Sequence, residues 1–280
     1  MILDTHTHFY DPNRPQGVPW PPKDNTLLYR PVLPGHLKDL AAPLGVTGTV
    51  VVEASSWLED NQWILDLAAD DPFIVGLVGN IVPNRPEFGA ELARFVANPL
   101  FRGIRCGGQR FAQIEQGSFL ADLKTLADHN LALDVLIQAD HLDAVLDVAR
   151  RIPDLRIVIN HILHMPVDGN PISPGWQDRY QRAAELPNVY MKLSAMMEQS
   201  TVTPAPAALD FYRPTLDVLW RTFGADKLIY GSNWPVSDRS GRSYADYLNV
   251  VQAYFAEKGE EALERYLWRN AVDVYGVKMG

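Results

Sequence analysis

Two histidines near the start of the chain, His6 and His8, have the spacing of a chemical site and follow the apolar pair Ile2-Leu3. Side chains alternate between the two faces of a β-strand, so His6 and His8 lie on one face, about 7 Å apart along the strand. Two imidazoles placed in this way can meet in front of the strand and bind a metal ion or a substrate oxygen. A pair of packed or surface histidines is the alternative interpretation.

Further polar residues stand at the ends of apolar segments later in the chain. They are Glu53, Arg105, Gln138, His161, Lys192 and Asn233. If these segments are parallel strands of one barrel, their carboxyl ends meet at one rim, where barrel enzymes keep their catalytic residues. We therefore treat these residues as candidates for a functional site. A buried polar group with satisfied hydrogen bonds is the competing interpretation for each.

The elements that would position these residues are eight short apolar or β-branched segments, each of which predicts a strand. They are Met1–Phe9, Thr47–Ala54, Phe73–Ile81, Phe101–Cys106, Ala132–Ala139, Arg156–Leu163, Val189–Ala195 and Lys227–Ser232. Several are nearly continuous apolar runs, which is typical of parallel strands buried on both faces. Their starts are about 25–45 residues apart, which suits a strand, a crossover helix and two loops.

Helical periodicity fills three of the intervening segments, Leu58–Asp70, Leu120–His129 and Leu142–Arg151. Alternating strands and helices predict an α/β fold, and we favour a single, slightly distorted (β/α)8 TIM barrel that covers residues 1–280 as one domain. An open doubly wound sheet is the alternative, but no Gly-x-Gly-x-x-Gly turn follows the first strand.

Two long proline-rich segments, Asp11–Pro34 and Pro166–Trp176, interrupt this pattern after strands one and six. Both follow the carboxyl end of a strand, so we predict that they wall the pocket, with ordinary surface loops as the alternative. Their aromatic residues Trp20, Tyr29 and Trp176 could stack on a substrate ring.

The composition excludes several classes of function. With 47% apolar and 21% charged residues the chain is typical of globular proteins, and its net charge of −9 argues against a nucleic-acid or anionic-membrane partner. Cys106 is the only cysteine, which excludes a disulfide framework. We find neither a signal peptide nor an apolar stretch of roughly 20 residues, so we expect a cytoplasmic protein. A homo-oligomer is compatible with this composition.

Six short motifs follow one another along the chain in the order expected for a barrel, and together they resemble those of a known family. They are Asp4-Thr5-His6-Thr7-His8, Gly103-Ile104-Arg105, Asn160-His161, Val189-Tyr190-Met191-Lys192-Leu193-Ser194, Gly231-Ser232-Asn233-Trp234-Pro235-Val236 and Asn270-Ala271-x-x-x-Tyr275-Gly276. The chain resembles the amidohydrolase superfamily over essentially its whole length. Within the amidohydrolase-2 branch it is most similar to the sugar-lactonase and 2-pyrone-4,6-dicarboxylate lactonase group. The resemblance implies a hydrolase that opens a small lactone or cyclic ester by water attack on the carbonyl.

The resemblance also implies roles for the matching residues. His6, His8 and His161 would be catalytic and would bind a divalent metal, zinc or manganese, or polarise the substrate carbonyl in metal-independent members. Arg105 would bind a carboxylate or hydroxyl of a small-molecule substrate. The remaining predicted substrate contacts are Glu53, Gln138, Lys192, Tyr29 and Trp176.

Asn233 departs from this pattern, because the residue after Gly231-Ser232 is normally the aspartate that takes a proton from water. A neutral amide cannot accept that proton, and it removes a negative charge beside the possible metal site. Strand five offers Gln138 where metal-dependent relatives have a histidine or a modified lysine. We therefore favour a site in which the metal is weakly held or absent.

Three explanations of Asn233 are open. Another residue can act as the base, with Glu53, His161 and Asp238 as candidates. The protein can bind a ligand without turning it over, as a catalytically silent barrel. Alternatively, asparagine replaces a natural aspartate. A metal-dependent decarboxylase of the same family is the alternative enzyme.

Overall fold

The computed structural model describes residues 1–278 and contains eight parallel strands in the sheet order β1 to β8. The strands are β1 Ile2–Thr7, β2 Val46–Val52, β3 Ile74–Gly79, β4 Phe101–Gly107, β5 Ala132–Leu136, β6 Arg156–Ile159, β7 Val189–Leu193 and β8 Leu228–Tyr230. The predicted (β/α)8 barrel is confirmed. The last two residues of the predicted 1–280 domain lie outside the described residues.

Helices cover the outside of the barrel. They are α1 Pro34–Ala41, α2 Glu59–Asp70, α3 Phe88–Val96, α4 Phe119–Asp128, α5 Leu142–Arg151, α6 Pro174–Ala184, α7 Leu209–Phe223, α8 Tyr244–Ala256, α9 Glu260–Glu264 and α10 Asn270–Tyr275. The three helices predicted from periodicity are observed within one residue at each end, because their apolar stripes pack on the sheet. No helix among residues 1–278 is long and apolar enough to span a membrane.

Seven of the eight predicted strands are shorter in the structure than the runs that predicted them, and β5, β6 and β8 illustrate why. Strands β5, β6 and β8 end at Leu136, Ile159 and Tyr230, and their apolar sequence continues into turns. These turns are buried at the mouth of the barrel, so they require apolar residues although they form no sheet ladder.

The barrel closes between β8 and β1 mainly beyond the regular strands. The backbone N–H of Asn233 donates to the carbonyl of His6 at 2.8 Å, and the N–H of His8 donates to the carbonyl of Trp234 at 3.0 Å. Asp4 reinforces this closure, since its buried carboxylate crosses the junction. The two strands that carry the first histidines and Asn233 are thereby joined.

The carboxylate of Asp4 accepts three hydrogen bonds. Its Oδ1 accepts from the backbone N–H of His6 at 3.1 Å and of Ser232 at 2.9 Å, and its Oδ2 accepts from the hydroxyl of Tyr244 at 2.8 Å. Asp4 is fully buried, and this burial raises the pKa of its carboxyl despite these donors.

We predict that Asp4→Asn lowers the free energy of unfolding by about 2 kcal/mol, because an amide group leaves at least one of these buried donors without an acceptor. Urea denaturation followed by circular dichroism measures this loss. The matched control is Asp39→Asn on the exposed surface of α1, which we expect to be neutral. Equal unfolding midpoints for the two variants would contradict the role assigned to Asp4.

Candidate active site

A cavity of about 580 Å³ opens at the carboxyl-terminal mouth of the barrel. Its lining includes the side chains of His8, Trp20, Arg105, His161, Glu198 and Asn233. Arg105 lies in β4, and the other five residues follow β1, β6, β7 and β8, so five strands contribute to one space. This is the end at which barrel enzymes bind their substrates.

The structure brings the three predicted histidines together. The ring centroids of His6 and His8 are 5.0 Å apart, and those of His6 and His161 are 4.4 Å apart. His8 and His161 line the cavity, whereas His6 is 0% exposed and does not line it. Among residues 1–278, neither ring nitrogen of His6 has a hydrogen-bond partner.

Hydrogen bonds orient both rings at the cavity, and for His8 they also determine which ring nitrogen carries the proton. The carbonyl oxygen of Val52 can only accept, so His8 donates to it from Nδ1 at 2.9 Å and keeps a lone pair on Nε2. Ser194 Oγ accepts from the backbone N–H of His161 at 3.2 Å and lies 2.8 Å from its Nδ1. A hydroxyl can donate one hydrogen bond and accept two, so this contact fits a proton on either ring nitrogen of His161.

Burial keeps these imidazoles neutral at physiological pH. The pKa of His8 is lowered to about 3. Loss of solvent is the largest cause, and the positive charge of Arg105 is the second. Burial also lowers the pKa of His6 and His161 well below that of an exposed imidazole. Neutral rings can donate one hydrogen bond and accept another, which suits them to polarise a carbonyl and to orient water.

The turn that carries His161 has an uncommon backbone. All four residues from His161 to His164 have φ angles between 48° and 60°, in the left-handed region. Such angles are unfavourable for residues other than glycine, and they cluster at functional sites when the surrounding structure imposes them. The turn also brings His164 into the lining of the cavity.

Arg105 in β4 is held by Glu53, which follows β2, two strands away in the barrel. Arg105 Nε donates to Glu53 Oε1 at 2.7 Å, and its Nη2 donates to the backbone carbonyl of Glu53 at 2.8 Å. Burial raises the pKa of Glu53, although the adjacent guanidinium opposes this shift. Arg105 lines the cavity and Glu53 does not, so Glu53 positions the cation.

Asn233 and Glu198 form a second pair on the opposite side. The amide Nδ2 of Asn233 donates to Glu198 Oε1 at 2.7 Å, and both side chains line the cavity. Burial raises the pKa of Glu198 to about 7. Glu198 was not among the predicted site residues, because it does not lie at the end of an apolar segment. The long connection between β7 and α7, with its polar stretch Glu198–Thr201, is the signal that could have indicated it.

Besides Glu53, four predicted substrate contacts do not line this cavity. Lys192 is fully buried inside the barrel, where it donates to Asp134 Oδ2 at 2.7 Å and to the carbonyl of Thr5 at 2.8 Å, and it does not line the cavity. An inward-facing side chain from the middle of β7 requires a buried partner, and Asp134 is that partner.

Gln138, Tyr29 and Trp176 do not line the cavity either. Gln138 borders a neighbouring groove together with His164. Trp176 lines a separate cavity of about 220 Å³ with the residues that follow β6, so the second long loop does not form the predicted wall. The first long loop does, through Trp20, whose ring centroid is 6.0 Å from that of His8.

The donor set does not fit a firmly held dication. Within the described range 1–278, no three side chains of His, Cys, Asp or Glu converge on a common metal position. The cations of Arg105 and Lys192 are close enough to lower the pKa of His6 and His8, and the same charges would repel a dication. Asn233 adds a neutral amide.

Comparison with known proteins identifies the family. The family model described as "Amidohydrolase" matches residues 3–277. An L-fucono-1,5-lactonase from Burkholderia ambifaria is 35% identical over 249 residues, which is 88% of this chain and 83% of that protein. The resemblance inferred from the motifs is confirmed.

Solved structures agree with the fold. A crystal structure of an amidohydrolase from Burkholderia multivorans with bound zinc has a TM-score of 0.86 at 22% identity, covering 99% of this chain and 100% of its own. A probable 2-pyrone-4,6-dicarboxylic acid hydrolase from Acinetobacter baumannii with bound citric acid has a TM-score of 0.76 at 18% identity, covering 98% and 99%. At these identities the two structures show a shared fold.

We predict that His8 stays neutral between pH 8 and pH 5, because burial lowers its pKa to about 3. The unfolded chain binds more protons at this position below about pH 6.5, so this residue makes the fold less stable as the pH falls further. Nitrogen-15 spectra of the imidazoles measure the protonation, with the exposed ring of His129 as reference. Titration of His8 between pH 5.5 and pH 7 would contradict its burial.

Proposed function

This chain belongs to the amidohydrolase family, and on that premise we propose that it hydrolyses a small lactone of the sugar-acid type. The observation that carries the proposal is the cavity wall in which neutral His8 and His161 stand beside the cation of Arg105. The 35% identity to an L-fucono-1,5-lactonase over most of both chains supports this substrate class.

In the proposed reaction, water attacks the ring carbonyl of the lactone and the ring C–O bond then breaks. In this reaction Ser194 donates to Nδ1 of His161, and the Nε2–H of His161 donates to the carbonyl oxygen, on which negative charge develops in the tetrahedral intermediate. The positive charge of Arg105 stabilises the same oxyanion or binds a carboxylate or hydroxyl of the substrate. His8 accepts a hydrogen bond at Nε2 from the water or from a substrate hydroxyl.

The three bases suggested by the sequence are engaged elsewhere. Glu53 binds Arg105, and Asp238 pairs with Arg30 at 3.0 Å outside the cavity lining. His161 donates in the proposed reaction, and burial lowers its pKa well below that of an exposed imidazole. The base is therefore to be found among other residues of the cavity.

A catalytically silent binding barrel is the second candidate, because Asn233 stands where the resemblance leads us to expect the aspartate base. Such a protein would be stabilised thermally by a lactone without releasing product. A turnover assay distinguishes it from the hydrolase.

We predict turnover of at least one lactone in a panel of L-fucono-1,5-lactone, other five- and six-membered sugar lactones and 2-pyrone-4,6-dicarboxylate, measured by acid release. His161→Ala should lower kcat by about 10²–10³-fold, since it removes one donor to the oxyanion. His129→Ala, at an exposed position, is the control. Thermal stabilisation without acid release would favour the binding protein, and unchanged kcat in His161→Ala would refute this mechanism.

We also propose that the reaction does not depend on a tightly bound metal. Dialysis against a chelator should change kcat/KM by less than about twofold, because neutral nitrogens beside two cations hold a dication weakly. Emission spectrometry measures the metal content before and after dialysis. One zinc or manganese per chain, with activity that is lost on removal and restored on addition, would refute this part of the proposal.

Our predictions of a cytoplasmic protein and of a homo-oligomer stay predictions.

A further inference from the structure

The side chain of Glu198 occupies a position next to Asn233 that the family resemblance does not assign. It is partly exposed, lies in the connection between β7 and α7, and lines the cavity with His8 and His161. Its Oε1 accepts from Asn233 Nδ2 at 2.7 Å, which places a carboxylate one hydrogen bond from the residue where the aspartate base is expected.

We propose that Glu198 is the general base of this enzyme and takes the proton from the attacking water. The inference rests on the proposed lactone hydrolysis. The resemblance places the carboxylate base after β8. Here the carboxylate comes from Glu198 after β7, and the amide of Asn233 after β8 holds it by a hydrogen bond.

The backbone around Asn233 keeps this pair in place. The residue has a φ of 63°, a left-handed conformation that asparagine tolerates better than most residues. Its N–H is bound to the carbonyl of His6, which ties the turn to the histidine strand. The side chain of Asn233 also lines the cavity together with His8.

The electrostatic surroundings leave Glu198 able to exchange a proton near neutrality. Asp238 raises its pKa and Arg239 lowers it, so the two charges oppose each other, and burial is the dominant cause that raises it to about 7. The phenols of Tyr212 in α7 and Tyr247 in α8 also lie within electrostatic range.

Apart from Glu198, the charged or titratable side chains that line the cavity are five, His8, Arg105, His161, His164 and Arg239. Of these, the lone pair of His8 is a much weaker base, because burial lowers the pKa of His8 to about 3. A base operates best at pH 7 when its pKa lies close to that value, so Glu198 suits the task better than His8.

The proton balance of the step is complete. The carboxylate of Glu198 removes one proton as the water oxygen bonds to the carbonyl carbon. When the tetrahedral intermediate collapses, the ring C–O bond breaks and the protonated Glu198 returns the proton to the departing ring oxygen. The product is the open hydroxy acid, and the enzyme regains its starting protonation state.

The test exchanges the two functional groups between positions. Glu198→Gln keeps an oxygen that can accept from Asn233 but cannot take a proton, so we expect kcat to fall by about 10²–10⁴-fold with little change in KM. The rise of kcat/KM with pH near 7 should disappear with it. The double variant Glu198→Gln with Asn233→Asp restores a carboxylate beside an amide, and we expect it to recover at least about tenfold of the lost rate.

Two controls separate chemistry from folding. Glu115→Gln, which removes an exposed ion pair with Arg151, should leave kcat and its pH profile unchanged. The melting temperature of Glu198→Gln at pH 8 should equal or exceed that of the parent, because folding raises the pKa of this carboxyl and so costs stability above it. If Glu198→Gln does not fold, rescue of Glu198→Ala by added formate provides the second measurement.

The outcomes distinguish this inference from the proposed function. Turnover by the parent chain together with Glu198→Gln activity within about twofold would overturn the role of Glu198 and leave the lactonase intact. A folded, slow Glu198→Gln variant with an unchanged pH profile and no rescue by the exchange or by formate would also overturn it. Absence of turnover by the parent chain on every lactone would overturn the proposed function itself.

Discussion

The junction between β8 and β1 is the constraint on which the site depends. The fully buried carboxylate of Asp4 accepts the N–H groups of His6 and Ser232, and adjacent backbone bonds join His6 to Asn233 and His8 to Trp234. One short stretch therefore closes the barrel and sets the histidine strand against the asparagine turn. A carboxylate this deeply buried is tolerated because several donors satisfy it. Two of these donors, the backbone N–H groups of His6 and Ser232, belong to the segments that carry the site residues.

Burial also decides the chemical character of the histidines. Loss of solvent is the main cause that opposes protonation of the rings. The cations of Arg105 at the mouth and Lys192 below also oppose it. Because these imidazoles are neutral, each can donate one hydrogen bond and accept another. The buried pair of Lys192 with Asp134 supports the barrel interior and adds a positive potential beneath the cavity, without contact with the ligand.

The carboxylates of the mouth serve different purposes because their partners differ. Glu53 faces a guanidinium at 2.7 Å and fixes its direction, whereas Glu198 faces a neutral amide at the same distance. Burial raises the pKa of both, but only the group without a bound cation lines the cavity. This contrast explains how a barrel with asparagine after β8 can still present a carboxylate to a bound water.

The sequence by itself determined the barrel, its family and the meeting of His6, His8 and His161, because apolar periodicity and strand-end position are local properties of the chain. It could not determine which polar strand-end residues face the cavity. Lys192 points into the barrel toward Asp134, and Trp176 lines another cavity. Such choices depend on partners distant along the chain, as the bond between Lys192 and Asp134 illustrates with a separation of 58 residues. Glu198 escaped detection for the same reason, since only the folded loop after β7 brings it to Asn233.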